Sequence, residues 1–340
     1  MLVHNLGLGG LSRMPQEFMR GGSVDRGLMY RTLVENGVLR EDQTREIDAS
    51  VLRVASRDLV AVGDLRAAGL TRPLMDIGVT SFEYDRVTPV GPASQGMAIL
   101  NLGDRDRVLF SRNAIPVPST SSQFEMDARE KAAGRHGGGD SVDTINIEAH
   151  TRAVAEKLET TLVCGSDVVL GENGLFGYTN ADCRHQLSFT GAVWGESGAT
   201  PIADINAARQ VLRDNGHNGP YIVYVGPNLD TTLDEDYKAE SERTLRERIL
   251  SMDGISQVKV LASLPDDNVL VVQMTSDVIQ MATAQDITPV TWDLYGGLLT
   301  RWAIIHVGTF VIRCAWARNP AQCGGELPDL TTSTGIAHIA

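Results

Sequence analysis

The chain has 340 residues, 43 acidic side chains against 30 basic ones, a net charge of −13, and 42% hydrophobic content. That is enough apolar mass for one large or two medium domains with a core, and it excludes disorder throughout. The acidic balance excludes a primary reader of DNA or RNA, and no run approaches the ~20 apolar residues that cross a bilayer.

In chain order, residues 1–38 are glycine-rich, from Asn5-Leu6-Gly7-Leu8-Gly9-Gly10 to Gly21-Gly22. They predict an extended arm, with Leu6, Leu8, Leu11 and Phe18 as its apolar contacts. Arg40 to Val62 places Ile47, Val51, Val54, Ala55 and Leu59 at three- and four-residue steps, which predicts an amphipathic helix. Residues 77–115 alternate as strands (Val79, Phe82, Tyr84, Val87, then Met97, Ile99, then Val108 and Phe110) around the turn Gly103-Asp104-Arg105-Asp106. Such a two-stranded ribbon is marginal alone and needs a cover.

A strand is expected at Ser121 to Met126. After the polar loop His136 to Asp140, a long helix is expected from Asp143 or Thr144 to Cys164, with Ile147, Val154, Leu158 and Leu162 as one stripe. From Pro201 the pattern is α/β: a helix at Ile202 to Arg213, the loop Asn215 to Pro220, and a strand at Tyr221 to Val225. A helix from Thr232 to Met252 follows, then strands at Val258 to Leu261, Val269 to Met274 and Trp302 to Cys314. Residues 315–340 read as a polar tail. The fold class is α+β.

Few residues point to chemistry. Gly7, Gly9 and Gly10 lack the strand and helix that a dinucleotide site needs, and no Gly-Lys pair exists for a phosphate loop. The seven histidines are scattered, with no pair at i, i+4 to hold a metal. Cys164, Cys183, Cys314 and Cys323 show no metal spacing and are expected to be reduced thiols of a cytoplasmic protein. The N-terminus does not read as a signal peptide. Cys183 and His185, two apart, define a remote hydrolase alternative. Asp230, Asp234, Glu235 and Asp236 read as a solvated helix start, and Glu240, Glu242 and Glu247 as surface partners of Arg243, Arg246 and Arg248. No catalytic residue, metal or cofactor is expected.

Several segments in order resemble encapsulin shell proteins and their relatives among tailed-phage major capsid proteins. Leu39 to Asp48 is similar to the Leu-x-x-x-Gln-x-x-Glu-Ile-Asp start of the encapsulin N-terminal helix. Ile115-Pro116-Val117-Pro118, Phe124-Glu125-Met126-Asp127 and the helix with Glu148, Val154 and Glu159 resemble that family's strand and spine helix. Gly174 to Tyr178, Asn215 to Tyr221, and Gln285-Asp286-Ile287 through Phe310 to Arg313 resemble later turns and strands. The likeness covers residues 39–314.

The resemblance implies a tailed-phage capsid or encapsulin fold. Its parts are an N-terminal arm and helix (1–75), an extended β-hairpin loop (76–115) and a peripheral domain with a spine helix (116–165 and 286–314). An axial α/β domain (166–285) and the tail (315–340) complete it. It implies a homo-oligomer of pentamers and hexamers, with Phe82, Tyr84, Met97 and Phe110 as inter-subunit anchors. Asn215, Gly216, His217, Asn218 and Gly219 would form the axial pore loop. The arm before Leu39 favours a phage capsid, assembled in the host cytoplasm and resident in the virion. It would enclose double-stranded DNA without sequence-specific binding, with a separate scaffolding protein, a portal and a decoration protein as partners. The alternative is an encapsulin whose cargo enzyme docks by a peptide near the Arg40 to Val62 helix. With no lysine between residues 77 and 115, the Lys–Asn cross-link of some phage shells is not expected.

Overall fold

The computed structural model describes residues 50–51, 53–55, 59–87, 97, 107, 110–130, 142–170, 173–236, 243–317 and 331–340. The chain forms two compact units: residues 1–54, 121–152 and 288–305 make the smaller, and residues 55–120, 153–287 and 306–340 the larger.

Helix α1 spans Ala61–Ala67, followed by strands β1 (Thr71–Pro73), β2 (Ser81–Val87), β3 (Phe110–Pro116) and β4 (Ser119–Asp127). The long helix α2 is Val142–Cys164, and β5 (Ser166–Leu170), β6 (Asn173–Leu175) and β7 (His185–Leu187) follow it. Next come α3 (Pro201–Asp214), β8 (Tyr221–Val225), the single turn α4 (Asp230–Leu233), α5 (Leu245–Leu250), β9 (Ile255–Val260) and β10 (Val269–Gln273). The chain continues through β11 (Ile279–Leu294), β12 (Leu299–Ile312), β13 (Ala315–Ala317), β14 (Thr331–Ser333) and β15 (Ile336–Ile339). One sheet has the order β1-β11-β12-β4, and another β7-β15-β10-β8-β9.

In the smaller unit the pleat of β4 sends alternate side chains inward. Phe124 stacks on His150 at 4.8 Å and on Trp302 at 6.0 Å between ring centroids. Met126, Ile147, Trp302 and Ile304 are buried with them. Thr151 is also buried; its hydroxyl donates to the Ile147 carbonyl at 2.7 Å, so burial leaves it satisfied. At the rim the Arg301 guanidinium donates through Nε to Glu125 at 2.7 Å.

The larger unit is built on β8 and β10, Tyr-Ile-Val-Tyr-Val and Val-Leu-Val-Val-Gln, which are buried on both faces. Continuous apolar runs are what a strand covered on both sides requires. β10 pairs antiparallel with β8, and β8 runs parallel to β9. Ile205, Ala208 and Leu212 of α3, with Leu245 and Ile249 of α5, close one face over Tyr221, Val223, Val269 and Val271. Pro201 starts α3, where its missing N–H costs nothing. Asp204, in the first turn, is buried and accepts from Trp194 Nε1 at 2.8 Å and the Thr190 amide at 2.7 Å.

The predicted helices at Ile202 to Arg213 and Asp143 to Cys164, the latter with its buried stripe, are observed within two residues. Four expectations are corrected. The helix from Arg40 does not run to Val62: Leu59 and Val60 are non-helical and α1 starts afresh at Ala61. The helix from Thr232 to Met252 is instead α4 and a separate α5. Thr244 adopts an extended backbone and its hydroxyl accepts the Glu247 amide at 3.3 Å, which caps a new helix. Arg246 therefore reaches back to Asp230 (2.9 Å) and Asp234 (3.2 Å) rather than along one helix. The expected polar tail does not extend to the last residues, because β15 is buried between β10 and β7. The thiols are not all reduced: Cys183 and Cys314 form a disulfide with Cα atoms 5.7 Å apart, a pairing across 131 residues that only the fold brings together.

Candidate functional site

Catalytic chemistry finds little support among the described residues. No group of three or more His, Cys, Asp or Glu side chains stands ready for a metal there. Cys183, the candidate nucleophile, is held in the disulfide and has no thiolate to offer. Burial pushes the imidazole of His185 below its ordinary range.

What the chain does present is exposed apolar side chain on two-stranded ribbons and at one turn. β2 and β3 form a two-stranded ribbon, from Ser81 opposite Pro116 to Val87 opposite Phe110. The four ribbon residues singled out from the sequence divide. Phe82 and Tyr84 lie on one face of β2 and are covered by their own unit, Phe82 under Arg72 and Tyr84 under Arg313. Met97 and Phe110 are exposed, Phe110 at 71%. A second ribbon, β5 with β6, exposes Val168, Val169 and Leu170, with Phe176 just beyond it. In the smaller unit Val290 and Trp292 near the end of β11, and Tyr295 and Leu298 in the turn to β12, are exposed together. Scattered single apolar residues are ordinary on a surface, whereas these are groups of near neighbours in the chain. The sequence reading missed the last two groups. Val168-Val169-Leu170 is a run without alternation, and Trp292 sits in the polar stretch Thr288 to Asp293.

The loop Asn215 to Gly219 is braced. Asn215 ends α3, its side-chain amide donating to the Val211 carbonyl at 2.8 Å. His217 is buried, its carbonyl accepts the Tyr221 hydroxyl, and burial lowers its pKa. Gly219 has φ +92° and lies where a Cβ would meet the Tyr221 ring at 3.2 Å, so glycine is required. The Gly219 amide donates to Gln273 Oε1 at 3.2 Å. Gly216 and Asn218 are exposed. Leu6, Leu8, Leu11 and Phe18 lie outside the described residues.

His306, on β12, carries a pH dependence. It is buried, and neither ring nitrogen has a hydrogen-bond partner among the described residues. Burial pushes its pKa down to about 4; Asp286 pulls upward and Arg66, paired with Asp286 at 2.6 Å, downward. Below pH 6.5 the unfolded imidazole takes a proton that the folded one refuses until about pH 4, so its contribution falls as pH falls. The stability difference between wild type and His306→Gln is expected to shift by about 3 kcal/mol against wild type from pH 7 to 4. Urea titrations across that range check it, and a difference independent of pH refutes it.

Comparison with known proteins defines the class. The virus-like particle from Pyrococcus furiosus superposes with a TM-score of 0.58 at 15% identity, covering 87% of this chain and 98% of that one. The capsid of Myoviridae phage XM1 gives 0.56 at 12% over 77% and 86%, and the capsid of the native GTA particle 0.55 at 13% over 100% and 99%. The fold is the one shared by encapsulin shells and phage capsids. The family described as encapsulating protein for peroxidase matches residues 35–289, and the chain belongs to it. A type 1 encapsulin shell protein from Myxococcus xanthus is 26% identical over 224 residues, 64% of this chain and 72% of that protein.

Proposed function

We propose that this chain self-assembles into a closed icosahedral shell of pentamers and hexamers, and that its working parts are contact surfaces rather than a catalytic site. The observation that carries the reading is exposed apolar side chain on ribbons and at a turn, Phe110, Val169 and Tyr295, together with the exposed Met97. A second subunit supplies the burial they lack. Phe82 and Tyr84 then act indirectly, by stiffening the base of the ribbon that carries Phe110 to its neighbour. Asn215 to Gly219 is the candidate for the symmetry axes, with Gly216 and Asn218 as its exposed positions.

For the contents, the first reading is a double-stranded genome, with scaffolding, portal and decoration proteins encoded apart. It is supported by the fold comparison with the GTA capsid, which runs the whole chain, whereas the encapsulating-protein match stops at residue 289. The second reading, a nanocompartment enclosing a cargo enzyme, is supported by that family match and by the Myxococcus relative. Electron microscopy of the chain expressed alone tests both. Small uniform shells favour the nanocompartment, large, irregular or tubular ones favour a capsid lacking its scaffold, and a stable monomer overturns assembly.

A further inference from the structure

The larger unit contains a buried polar cluster that shell contacts do not require. Glu159, on α2, is 5% exposed. Its Oε1 accepts the Val62 amide at 3.1 Å, and the amides of Ala61 and Val60 lie near enough to the same carboxyl group to favour its charged form. It thus caps α1 from another helix, since Val60, at the cap position, offers no side-chain bond. Oε2 has no hydrogen-bond partner among the described residues, and neither has the fully buried Tyr178 hydroxyl. One backbone donor and one idle buried oxygen leave this carboxyl half-served.

The groups around it are Asp64 of α1, Glu156 of α2, Tyr178 after β6, Tyr224 of β8 and Lys259 of β9. Asp64 takes the available help: the Tyr224 hydroxyl donates to it at 2.9 Å and Lys259 forms an ion pair with it. Tyr178 and Tyr224 stack at 6.3 Å, and burial together with the carboxylates of Glu159 and Asp64 holds both phenols above their ordinary range. A cavity of about 280 Å³ lined by Val60, Glu156, Glu159, Thr160 and Ser263 opens beside the carboxyl.

We propose that Glu159 is a protonation latch, which fastens α1 to its unit while the carboxyl is neutral and loosens it when the carboxylate forms. Burial with one oxygen idle favours the neutral acid; the ionised group is the stronger acceptor for the Val62 amide but is drawn to water, which the adjoining cavity admits once α1 lifts. Burial raises the Glu159 pKa, the three amides lower it and the Asp64 charge adds to the rise, leaving it at about 7 against an ordinary 4.5. Between those values the closed state keeps a proton that the open state releases. Attachment is therefore full below about pH 4.5 and is lost as pH climbs through 7. Lys259 does not rescue the ionised form, because it is committed to Asp64.

Hydrogen exchange of the full-length protein tests the latch, read at the amides of Val60 to Arg66 and corrected for intrinsic rates. The opening equilibrium of α1 is expected to rise on the order of 100-fold from pH 5 to pH 8 in wild type. Glu159→Gln accepts the Val62 amide but does not ionise, and it is expected to show a flat profile. Glu156→Gln, at the exposed rim, is expected to keep the wild-type profile. A flat wild-type profile overturns the latch, as does a slope retained in Glu159→Gln. If Glu159→Gln does not fold, the wild-type profile and Glu156→Gln still decide it. The measurement reads single subunits and assembled shells alike, so it stands or falls independently of the shell reading.

Discussion

Replacing Ala337 by aspartate is expected to abolish folding of the five-stranded sheet and with it the recovery of soluble protein. Ala337 is wholly buried in β15, opposite Val271 on β10 and His185 on β7. Its side chain belongs to the core beneath α3, alongside Ile339, Leu212 and Val269. The backbone of β15 is equally committed, because the strand lies between two others and bonds to both. A carboxylate there has no cation and no room, and an unpaired buried charge costs several kcal/mol. That is a large part of the ~5–15 kcal/mol by which a domain is stable. Ala340→Asp, one residue beyond the strand and exposed, is the control and is expected to be neutral. Expression and far-ultraviolet circular dichroism of both variants decide it; soluble, native-like Ala337→Asp would mean that β15 does not hold this slot.

That strand also shows where sequence reading ends. Tyr221 to Val225 and Val269 to Gln273 are apolar almost throughout, so burial on both faces was legible, and both strands stand where periodicity put them. The stripe Ile147, Val154, Leu158 and Leu162 spans enough turns to declare a helix and its inner face. Ile336-Ala337-His338-Ile339 is a four-residue run broken by a histidine. Nothing local separates it from a loop, and it becomes a strand only because β10 and β7 offer it both edges. The fresh start of α5 did leave a cue, Thr244 with Glu247 at capping-box spacing, but the pair is hidden inside a run rich in helix formers. Of the candidate contacts, exposure of Phe110 follows from a ribbon too thin to bury both faces. The inward turn of Phe82 and Tyr84 depends on where Arg72 and Arg313 come to lie.

The second large effect concerns the bond between Cys183 and Cys314. Cys183 lies two residues before β7 and Cys314 two residues after β12, so the bond ties the start of one strand to the end of another. The same corner receives the chain on its way to β15, where the Thr334 amide donates to the Cys183 carbonyl at 3.2 Å. Closing so long a loop restricts the unfolded chain, and the chain-entropy account puts the stabilisation at about 4–5 kcal/mol. The double variant Cys183→Ser, Cys314→Ser is expected to lose about that much in urea unfolding under oxidising conditions. Wild type with a strong thiol reductant is expected to approach the variant, slowly, because Cys183 is buried. Cys164→Ser is expected to leave the midpoint unchanged under both conditions, since the Cys164 thiol is free and meets the Ser263 carbonyl at 3.8 Å, a weak contact. Midpoints that coincide for wild type and the double variant under oxidising conditions would remove the staple.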